Sequence, residues 1–189
     1  MCTGTLRPAG DGPALPAEIA LSSSPLAVTN VGALVQKASR QFAGRTALIC
    51  GDRRLSYAEL ESRSNRLANA LLGLGLRRGD RVGVCLPNSP EVVELELACY
   101  KAALVKAPIN ARLSPREVAQ VVANAEAAVV LTTRERADAF GACLEGPPPR
   151  LLLLDGGDGS DDDYETQLAR AADRFVPVAV MRDEVAVLH

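Results

Sequence analysis

The sequence predicts an α/β fold, in which a mainly parallel, doubly wound sheet is flanked by helices, and three observations favour it. Short segments such as residues 81–86 are apolar at successive positions, as expected of parallel strands that are covered on both faces. Segments of ten or more residues with helical periodicity lie between these strands, which is typical of βαβ units. Helix-start signals, above all Ser-Pro-Arg-Glu at positions 114–117, mark where helices begin.

The first predicted elements are a helix and a hairpin. Asn30 is placed to cap a helix whose apolar residues recur at helical spacing as far as Phe42. A strand at residues 46–50 then turns at Gly51 into a second strand at residues 53–55. We therefore expect a short hairpin before the βαβ units begin.

A long helix is predicted after the hairpin. Ser56 and Glu59 have the spacing of a capping box, in which each side chain accepts a hydrogen bond from the backbone N–H of the other residue. Four leucines form one apolar stripe along this helix. We expect Glu61, Arg63 and Asn65 to lie on the face opposite that stripe.

Helices and strands alternate over the rest of the chain. Gly73 or Gly75 is expected to end the long helix, and Asn88 or Ser89 to cap the next one. Low-complexity stretches predict loops at residues 146–149 and 155–163. Further strands are predicted at residues 81–86, 104–109, 128–131, 151–154 and 185–188, and further helices at about residues 91–103, 115–125 and 132–142.

Length and composition fit a folded domain. The chain has 189 residues, of which 48% are hydrophobic and 23% charged, so we expect a globular, soluble protein. A net charge of -2 and the lack of a stripe rich in lysine and arginine argue against a nucleic-acid partner. No apolar run approaches about 18 residues, so the sequence predicts no membrane span.

The first 29 residues differ in composition from the rest. They contain four prolines, several serines and one basic residue, and they lack the basic and apolar regions of a secretion signal. We expect residues 1–29 to be a flexible leader and residues 30–189 to form the α/β subdomain. Five scattered cysteines without a Cys-x-x-Cys pair predict neither a disulfide framework nor a zinc site, and they fit a cytoplasmic location.

Two motifs look like ligand sites but fit ordinary loop chemistry better. Gly73, Gly75 and Gly79 follow a helix and precede a strand, whereas a dinucleotide fingerprint opens a helix after a strand. In the acidic run at residues 155–163, no single frame supplies alternating oxygen ligands, a glycine at the sixth position and a late glutamate, as a calcium loop requires. We therefore predict no nucleotide or metal site in these segments.

Four polar residues are candidates for a site, and each has a structural alternative. Tyr57 and Glu59 lie at a helix start, where Glu59 serves the capping box, and Asn88 is a candidate cap. Asn110 directly follows a strand, and α/β sheets bind ligands at the carboxyl ends of their strands. Asn110 is therefore still a candidate for a position near the site. The sole histidine, His189, is the last residue, and no nucleophile or phosphate-loop motif occurs. The residues alone thus predict no catalytic, cofactor-binding or metal-binding residue.

Four segments in a fixed order carry a resemblance to a known family. They are Leu-Ser-Tyr-Ala-Glu-Leu at 55–60, Gly-Asp-Arg-Val at 79–82 running into Leu-Pro-Asn-Ser-Pro at 86–90, Ala-Pro-Ile-Asn at 107–110 within the stretch 100–113, and Ser-Pro-Arg-Glu at 114–117. With this spacing the chain resembles the N-terminal subdomain of adenylate-forming (AMP-binding) enzymes, the superfamily of acyl-CoA synthetases, from about residue 31 to 189. Ala103 departs from the family, which usually has glycine there, and we expect its methyl group to shift helix–strand packing at most.

The resemblance implies that a full-length relative activates a carboxylic acid with ATP and Mg²⁺, releases pyrophosphate, and then transfers the acyl group from acyl-AMP to the thiol of CoA. It also implies that the family's phosphate-binding loop would begin just after residues 183–189, so the subdomain is expected to be truncated before that loop. No residue here matches a family residue that contacts ATP. Asn110 is similar to the form in acyl-CoA and aryl-CoA ligases, whereas amino-acid-activating adenylation domains more often carry aspartate, which favours a carboxylic acid:CoA ligase.

Three hypotheses follow from the sequence. The first is an N-terminal fragment of such a ligase, or of an adenylation domain or acyl-AMP ligase that loads a carrier protein, inactive alone and partnered by the complementary remainder or a second copy. The second is a non-catalytic interaction module derived from the same family, stable without any complement. The third is a nucleotide-binding α/β domain, which saturable ATP binding would support. The acid substrate is not specified by any of them.

Overall fold

The computed structural model describes residues 30–181 and 183–188. The leader predicted for residues 1–29, and His189, lie outside these described residues. Among the helices described, none combines the length and the apolar character that crossing a membrane requires. The helices are α1 (Val31–Phe42), α2 (Tyr57–Gly73), α3 (Pro90–Ala102), α4 (Pro115–Asn124), α5 (Arg134–Gly141) and α6 (Tyr164–Arg170), and the strands are β1 (Thr46–Cys50), β2 (Arg53–Ser56), β3 (Arg81–Val84), β4 (Val105–Pro108), β5 (Ala127–Thr132) and β6 (Arg150–Leu153).

Four strands form a parallel sheet in the order β4-β3-β5-β6, which confirms the predicted fold class. The chain passes from β3 outward to β4 and then returns to β5 on the other side of β3. The α3 helix packs on one face of this sheet, and α4 and α5 pack on the other, so the sheet is doubly wound. β1 and β2 form a separate antiparallel hairpin, as predicted.

Each face of the sheet has its own hydrophobic core. The core under α2 and α3 contains Val82, Leu95 and Leu131, all with no exposed surface. The core under α4 and α5 contains Phe140 and Leu153. Each large apolar side chain that is fully buried contributes about 1.5–3 kcal/mol. Aliphatic residues fill most of both cores, in keeping with a chain that has three phenylalanines and no tryptophan.

Side-chain caps fix the starts of α1, α2 and α4, as predicted, whereas Ser89 takes the predicted cap position of α3 without forming a side-chain cap bond. Ser56 and Glu59 form a complete capping box at the start of α2, and Ser114 and Glu117 form another at the start of α4. Asn30 caps α1 through its side-chain oxygen. These bonds satisfy backbone N–H groups that have no partner inside the helix.

Gly75 closes α2, which confirms one of the two predicted alternatives. It follows the cap residue Leu74 and adopts φ +94°, a conformation that favours glycine. The N–H groups of Gly75 and Leu76 donate to the carbonyl oxygens of Leu72 at 3.0 Å and Leu71 at 3.3 Å, the pattern of a Schellman motif. The glycines between α2 and β3 are therefore turn residues, in agreement with the sequence analysis.

Ala103 ends α3 in the left-handed conformation, with φ +54°. The Cβ atom of any residue other than glycine is strained there, because it approaches the backbone. The methyl group of Ala103 therefore acts on the backbone of its own residue, which the sequence analysis did not predict. The expected shift in helix–strand packing stays a prediction.

Further differences from the prediction concern α6, residues 185–188, and the strands β3 and β4. No helix was predicted at α6, because seven residues are too few to show a helical period; Asp163 caps it by accepting from the Thr166 N–H at 2.7 Å. Residues 185–188 form a single parallel bridge, between Lys106 and Val187, in place of the predicted strand. β3 and β4 have four residues each and are shorter than predicted.

Glu61 and Asn65 are buried, which contradicts their predicted place opposite the leucine stripe of α2. Both contact Lys101 of α3, which is fully buried. The Lys101 Nζ atom lies 2.7 Å from Glu61 Oε2, 2.7 Å from Asn65 Oδ1 and 2.8 Å from Ser64 Oγ. The partner of these side chains belongs to another helix, so the periodicity of α2 could not reveal it.

The residues after α6 form an extended strap, defined here as residues 171–181 and 183–188. It passes along α2, α1 and the end of α3 and reaches the outer edge of β4. There the Lys106 N–H donates to the Ala186 oxygen at 3.0 Å, and the Leu188 N–H donates to the Lys106 oxygen at 2.9 Å. None of the described strap residues is buried.

The loop at residues 146–149 joins α5 to β6 at the amino ends of the strands. Its three prolines line a shallow hollow together with the end of α4 and the start of β5. Pro147 and Pro148 are exposed. The loop therefore lies at the end of the sheet opposite to the carboxyl ends of the strands.

Candidate functional site

An open cleft of about 680 Å³ lies at the carboxyl ends of β3 and β4. Its walls are the loops that follow these two strands and the first turn of α3. The direction of winding reverses between β3 and β5, next to the cleft on the same edge, and α/β sheets bind ligands at the carboxyl ends of their strands near such a point. The lining residues are Val84, Leu86, Pro87, Asn88, Val92, Lys106, Pro108, Ile109, Asn110, Ala111, Arg112 and Arg136.

The cleft is basic. Lys106, Arg112 and Arg136 line it, none of the lining residues is acidic, and the charge of Lys106 is balanced by Glu96 just behind the wall. Arg136, from α5, donates from Nη1 to the Ala111 carbonyl oxygen at 2.7 Å and so fixes the loop after β4. Arg112 is exposed. A concave surface with clustered positive charge favours an anionic group over a neutral or cationic one.

Lys106 is oriented by a hydrogen-bonded chain on the wall of the cleft. Its Nζ atom donates to Glu96 Oε2 at 2.5 Å, and the Tyr100 hydroxyl donates to Glu96 Oε1 at 2.9 Å. Burial opposes the charge on Glu96, but the bonds from Lys106 and Tyr100 outweigh it and hold the pKa of this carboxyl below its usual value. Burial, assisted by the neighbouring carboxylate, raises the pKa of Tyr100 to about 12. This hydrogen-bonded network therefore holds the Lys106 side chain in place.

Cys85 lies behind the cleft, at a smaller hollow of about 210 Å³ between α4 and α5. Its side chain is fully buried. Burial raises the pKa of the Cys85 thiol, although the nearby Arg136 guanidinium acts in the opposite direction. Because the thiolate is the reactive form and burial disfavours it, we describe Cys85 as a small core residue.

The structure separates the four candidate polar residues into two pairs. Asn88 and Asn110 line the cleft. The Asn110 side chain also accepts from the Arg112 N–H at 2.9 Å, so it shapes the loop that it belongs to. Tyr57 and Glu59 do not line the cleft; Glu59 serves its capping box, and the Tyr57 ring packs near another aromatic ring at 6.1 Å between centroids.

The sequence analysis missed the three basic residues of the cleft. One signal was available, because Arg112 lies two positions after Asn110, at the end of a predicted strand. Arg136 lies inside a predicted helix, and its reach to the loop after β4 depends on the order of the strands. Lys106 lies within a strand, where its ion pair with Glu96 required knowledge of the packing of α3.

Metal binding is not supported by the described part of the chain. It contains no group of three or more histidine, cysteine, aspartate or glutamate side chains that could hold an ion. In the acidic loop, the Asp163 carboxylate accepts from the N–H groups of Thr166 and Gly157, at 2.7 Å in each case. These are cap and turn bonds.

A protein-family model described as AMP-binding enzyme matches residues 35–189. The chain belongs to this family. The match confirms the resemblance to adenylate-forming enzymes, and the four segments that carried the resemblance all lie within the matched range.

Two curated relatives of this chain are CoA ligases by name. A medium/long-chain-fatty-acid–CoA/3-oxocholest-4-en-26-oate–CoA ligase of Mycobacterium marinum is 35% identical over 135 residues, which cover 71% of this chain and 24% of that ligase. A feruloyl-CoA synthase of an Amycolatopsis species is 37% identical over 135 residues, which cover 70% of this chain and 27% of that enzyme. The chain thus spans about a quarter of the length of each relative and corresponds to the relative's N-terminal part.

A solved structure shows the same fold. The benzoate CoA ligase of Burkholderia xenovorans superposes with a TM-score of 0.74 at 23% identity, over 85% of this chain and 32% of that one. At this identity the likeness concerns the fold of the chain alone.

Proposed function

We propose that this chain supplies the N-terminal α/β wall of an ATP-dependent carboxylic acid:CoA ligase and forms no acyl-adenylate by itself. The family match over residues 35–189 is the observation that carries the proposal. The names of the curated relatives support CoA as the acceptor. Asn110, at the edge of the cleft, supports the same choice, because it is similar to the form in acyl-CoA and aryl-CoA ligases.

In the proposed ligase the substrate carboxylate attacks the α-phosphorus of ATP, pyrophosphate leaves, and the CoA thiol then displaces AMP to give the thioester. Such a reaction needs donors and a cation around the phosphates. The described residues do not fit a magnesium site, since no carboxylate lines the cleft and no suitable group of ligands occurs elsewhere among them. We therefore assign no step at the phosphates to this chain. Its proposed part is a rigid, basic wall at the carboxyl edge of the sheet.

Adenylation by the purified chain is the first test. The chain is incubated with ATP, Mg²⁺ and labelled pyrophosphate in the presence of a fatty acid, ferulate or benzoate. We expect no acid-dependent exchange of pyrophosphate into ATP, and no saturable heat of ATP binding by calorimetry. Acid-dependent exchange would contradict the proposal, and saturable ATP binding without exchange would favour a nucleotide-binding domain instead.

A chimera provides the positive test. The whole chain replaces the matched N-terminal part of the Mycobacterium marinum ligase, and acyl-CoA formation is followed by release of AMP. We expect the chimera to form acyl-CoA, whereas the same ligase without its N-terminal part is expected to be inactive. A chimera that is folded and monodisperse but inactive would contradict the proposed wall.

A non-catalytic interaction module is the second candidate function, and exposed apolar side chains favour it. Val176, Met181 and Val185 of the strap are 87%, 65% and 58% exposed. Met181 and Val185 line the same hollow, and exposed apolar side chains grouped in this way mark an interaction site. The module requires a chain that stays fully folded without a complement, and an inactive chimera.

A further inference from the structure

We propose that the strap opens and closes as one unit while the sheet stays folded, and that side-chain hydrogen bonds hold it closed. The first observation is its burial. None of the described strap residues is buried, and Phe175 is the sole large side chain of the strap among those that pack against a core. The hydrophobic effect therefore contributes little to its attachment.

The second observation is the nature of the bonds that hold the strap. Side chains of α1, its cap and α2 donate to successive backbone carbonyl groups of the strap, a set of partners that ordinary strand pairing does not use. The bonds are Arg66 to Ala171 at 2.6 Å, Asn69 to Ala172 at 2.8 Å and to Arg174 at 3.0 Å, Asn65 to Asp173 at 2.9 Å, Gln36 to Phe175 at 3.1 Å, and Asn30 to Val178 at 2.7 Å.

The third observation is the end of the strap at β4. Lys106 donates its N–H to the strap and accepts from it, so one residue of β4 carries the whole bridge. Pro108, two residues further along the same edge, has no N–H to offer. The closed strap therefore covers the outward donor of this edge, and an open strap leaves that donor free for another strand.

Opening also affects the cleft, because the side chain of Lys106 lines it. With the strap closed, both backbone polar groups of Lys106 are held on the strap side, while its Nζ atom is held by Glu96 at 2.5 Å. With the strap open, the Lys106 side chain keeps its hydrogen bond to Glu96, but the backbone N–H and C=O groups of Lys106 lose their partners in the strap. The strap thus links α1 and α2 to the wall of the cleft.

Hydrogen exchange of the full chain tests the proposal. The N–H groups of Val178, Leu188 and Lys106 report on the closed strap, and those of β3 and β5 report on the sheet. We expect the strap reporters to exchange at one common rate, at least about tenfold faster than the sheet, since local units open at lower free energy than the whole molecule. Equal protection of strap and sheet would overturn the proposal.

Asn69→Ala distinguishes one unit from several independent contacts. It removes two bonds at the start of the strap, and bonds of this kind correspond to about threefold to tenfold in an opening equilibrium. We expect exchange to accelerate by that factor along the whole strap, including Leu188 at its far end. Acceleration at Val178 alone, with Leu188 and Lys106 unchanged, would overturn the proposal. Asn124→Ala, at the end of α4, is the matched control and is expected to change no strap amide.

Asn30→Asp is a second variant, in case Asn69→Ala fails to fold. Aspartate retains the oxygen that accepts from the Gly32 N–H at 2.7 Å and caps α1. It loses the amide group that donates to Tyr100 and Val178, at 2.7 Å each. We expect faster exchange of the strap with unchanged protection of α1. Loss of protection in α1 without any effect on the strap would contradict the proposal.

Discussion

At the scale of single residues, Ala103 shows how a chain can carry a local cost at a helix end. Its φ of +54° places it where residues other than glycine are strained by roughly 1–2 kcal/mol. The N–H of Ala103 bonds to the Cys99 oxygen, and the Ala103 oxygen accepts from the Gly79 N–H at 2.9 Å, so surrounding contacts hold the conformation. The sequence could reveal the departure from glycine, but the conformation that explains it needed the structure.

Ala103→Gly is expected to stabilise the chain by about 1 kcal/mol, because glycine adopts the left-handed conformation without strain. Urea denaturation followed by circular dichroism measures the change. Ala102→Gly, one residue earlier and inside α3, is the matched control and is expected to destabilise by about 1 kcal/mol or more. Equal destabilisation by both substitutions would show that the strain is absent.

Lys101 illustrates a residue whose environment no local pattern could predict. The sequence analysis placed Glu61 and Asn65 opposite the buried stripe, yet both lie against the Lys101 ammonium. Burial lowers the pKa of Lys101, and the hydrogen bond that Lys101 donates to Glu61 opposes that effect. Glu61, Asn65 and Lys101 are each polar, so the sequence taken one residue at a time places each of them on the surface. Their mutual contact, across two helices, is what allows them to be buried.

Lys101→Met is expected to destabilise the chain by about 3 kcal/mol or more, because it leaves the Glu61 carboxylate buried without its cation. Thermal and urea unfolding measure the loss. Adding Glu61→Met to Lys101→Met is expected to recover part of it, since the pair is then replaced by apolar groups. If the double variant were as unstable as the sum of the two single variants, the pair would not be coupled.

At the scale of elements, local signals predicted the starts of α2 and α4 because a capping box lies within four consecutive residues. Bonds inside such a box do not depend on the rest of the fold. The shortest helix, α6, was missed although Asp163 and Thr166 have the spacing of a cap, because a cap without a following periodic segment is a weak signal. The strap could not be predicted, since its partners lie more than 70 residues away in every helix that it contacts.

Helix caps also give the chain a pH dependence. The bonds from Ser114 to Glu117 hold the pKa of that carboxyl below its ordinary value of 4.5, so the folded state gives up the proton more readily than the unfolded state. The resulting stabilisation is fully present above pH 4.5 and is lost as the pH falls through the lowered pKa of the folded state. Glu117→Gln retains an acceptor for the box but carries no charge.

We expect Glu117→Gln to melt at a lower temperature than the unmodified chain at pH 7, and the difference to disappear at a pH below both pKa values. Melting curves of both proteins across this pH range measure it. Gln120→Glu, on the same helix and outside the box, controls for a general effect of charge. A difference that is constant with pH would contradict the role of the Glu117 charge.

At the scale of the whole molecule, the alternation of strands and helices predicted the sheet and its class, because each apolar strand must be covered on both faces. The cleft was predicted in part, through Asn110 at a strand end. Its basic character was not, since Lys106, Arg112 and Arg136 come together through the order β4-β3-β5, which no single segment encodes.

Self-association is the prediction at this scale. With Val176, Met181 and Val185 exposed on the strap, we expect the apparent mass of the isolated chain to rise with concentration in light scattering. The combined substitutions Val176→Ser, Met181→Gln and Val185→Thr are expected to lower that rise. Ile49→Thr removes another exposed apolar side chain, 60% exposed and on the hairpin, and is expected to leave it unchanged. An equal effect of both variants would show that the strap is not the contact surface.

The position of the proline loop at residues 146–149 has a practical consequence. The loop lies at the amino ends of the strands, and the cleft at their carboxyl ends. Pro148→Cys, in a background without the exposed Cys143, provides a thiol for biotin at this loop. The biotin would tether the molecule with the basic edge facing away from the support. Immobilised in this orientation, the chain could be screened against anionic compounds without its attachment point blocking their access.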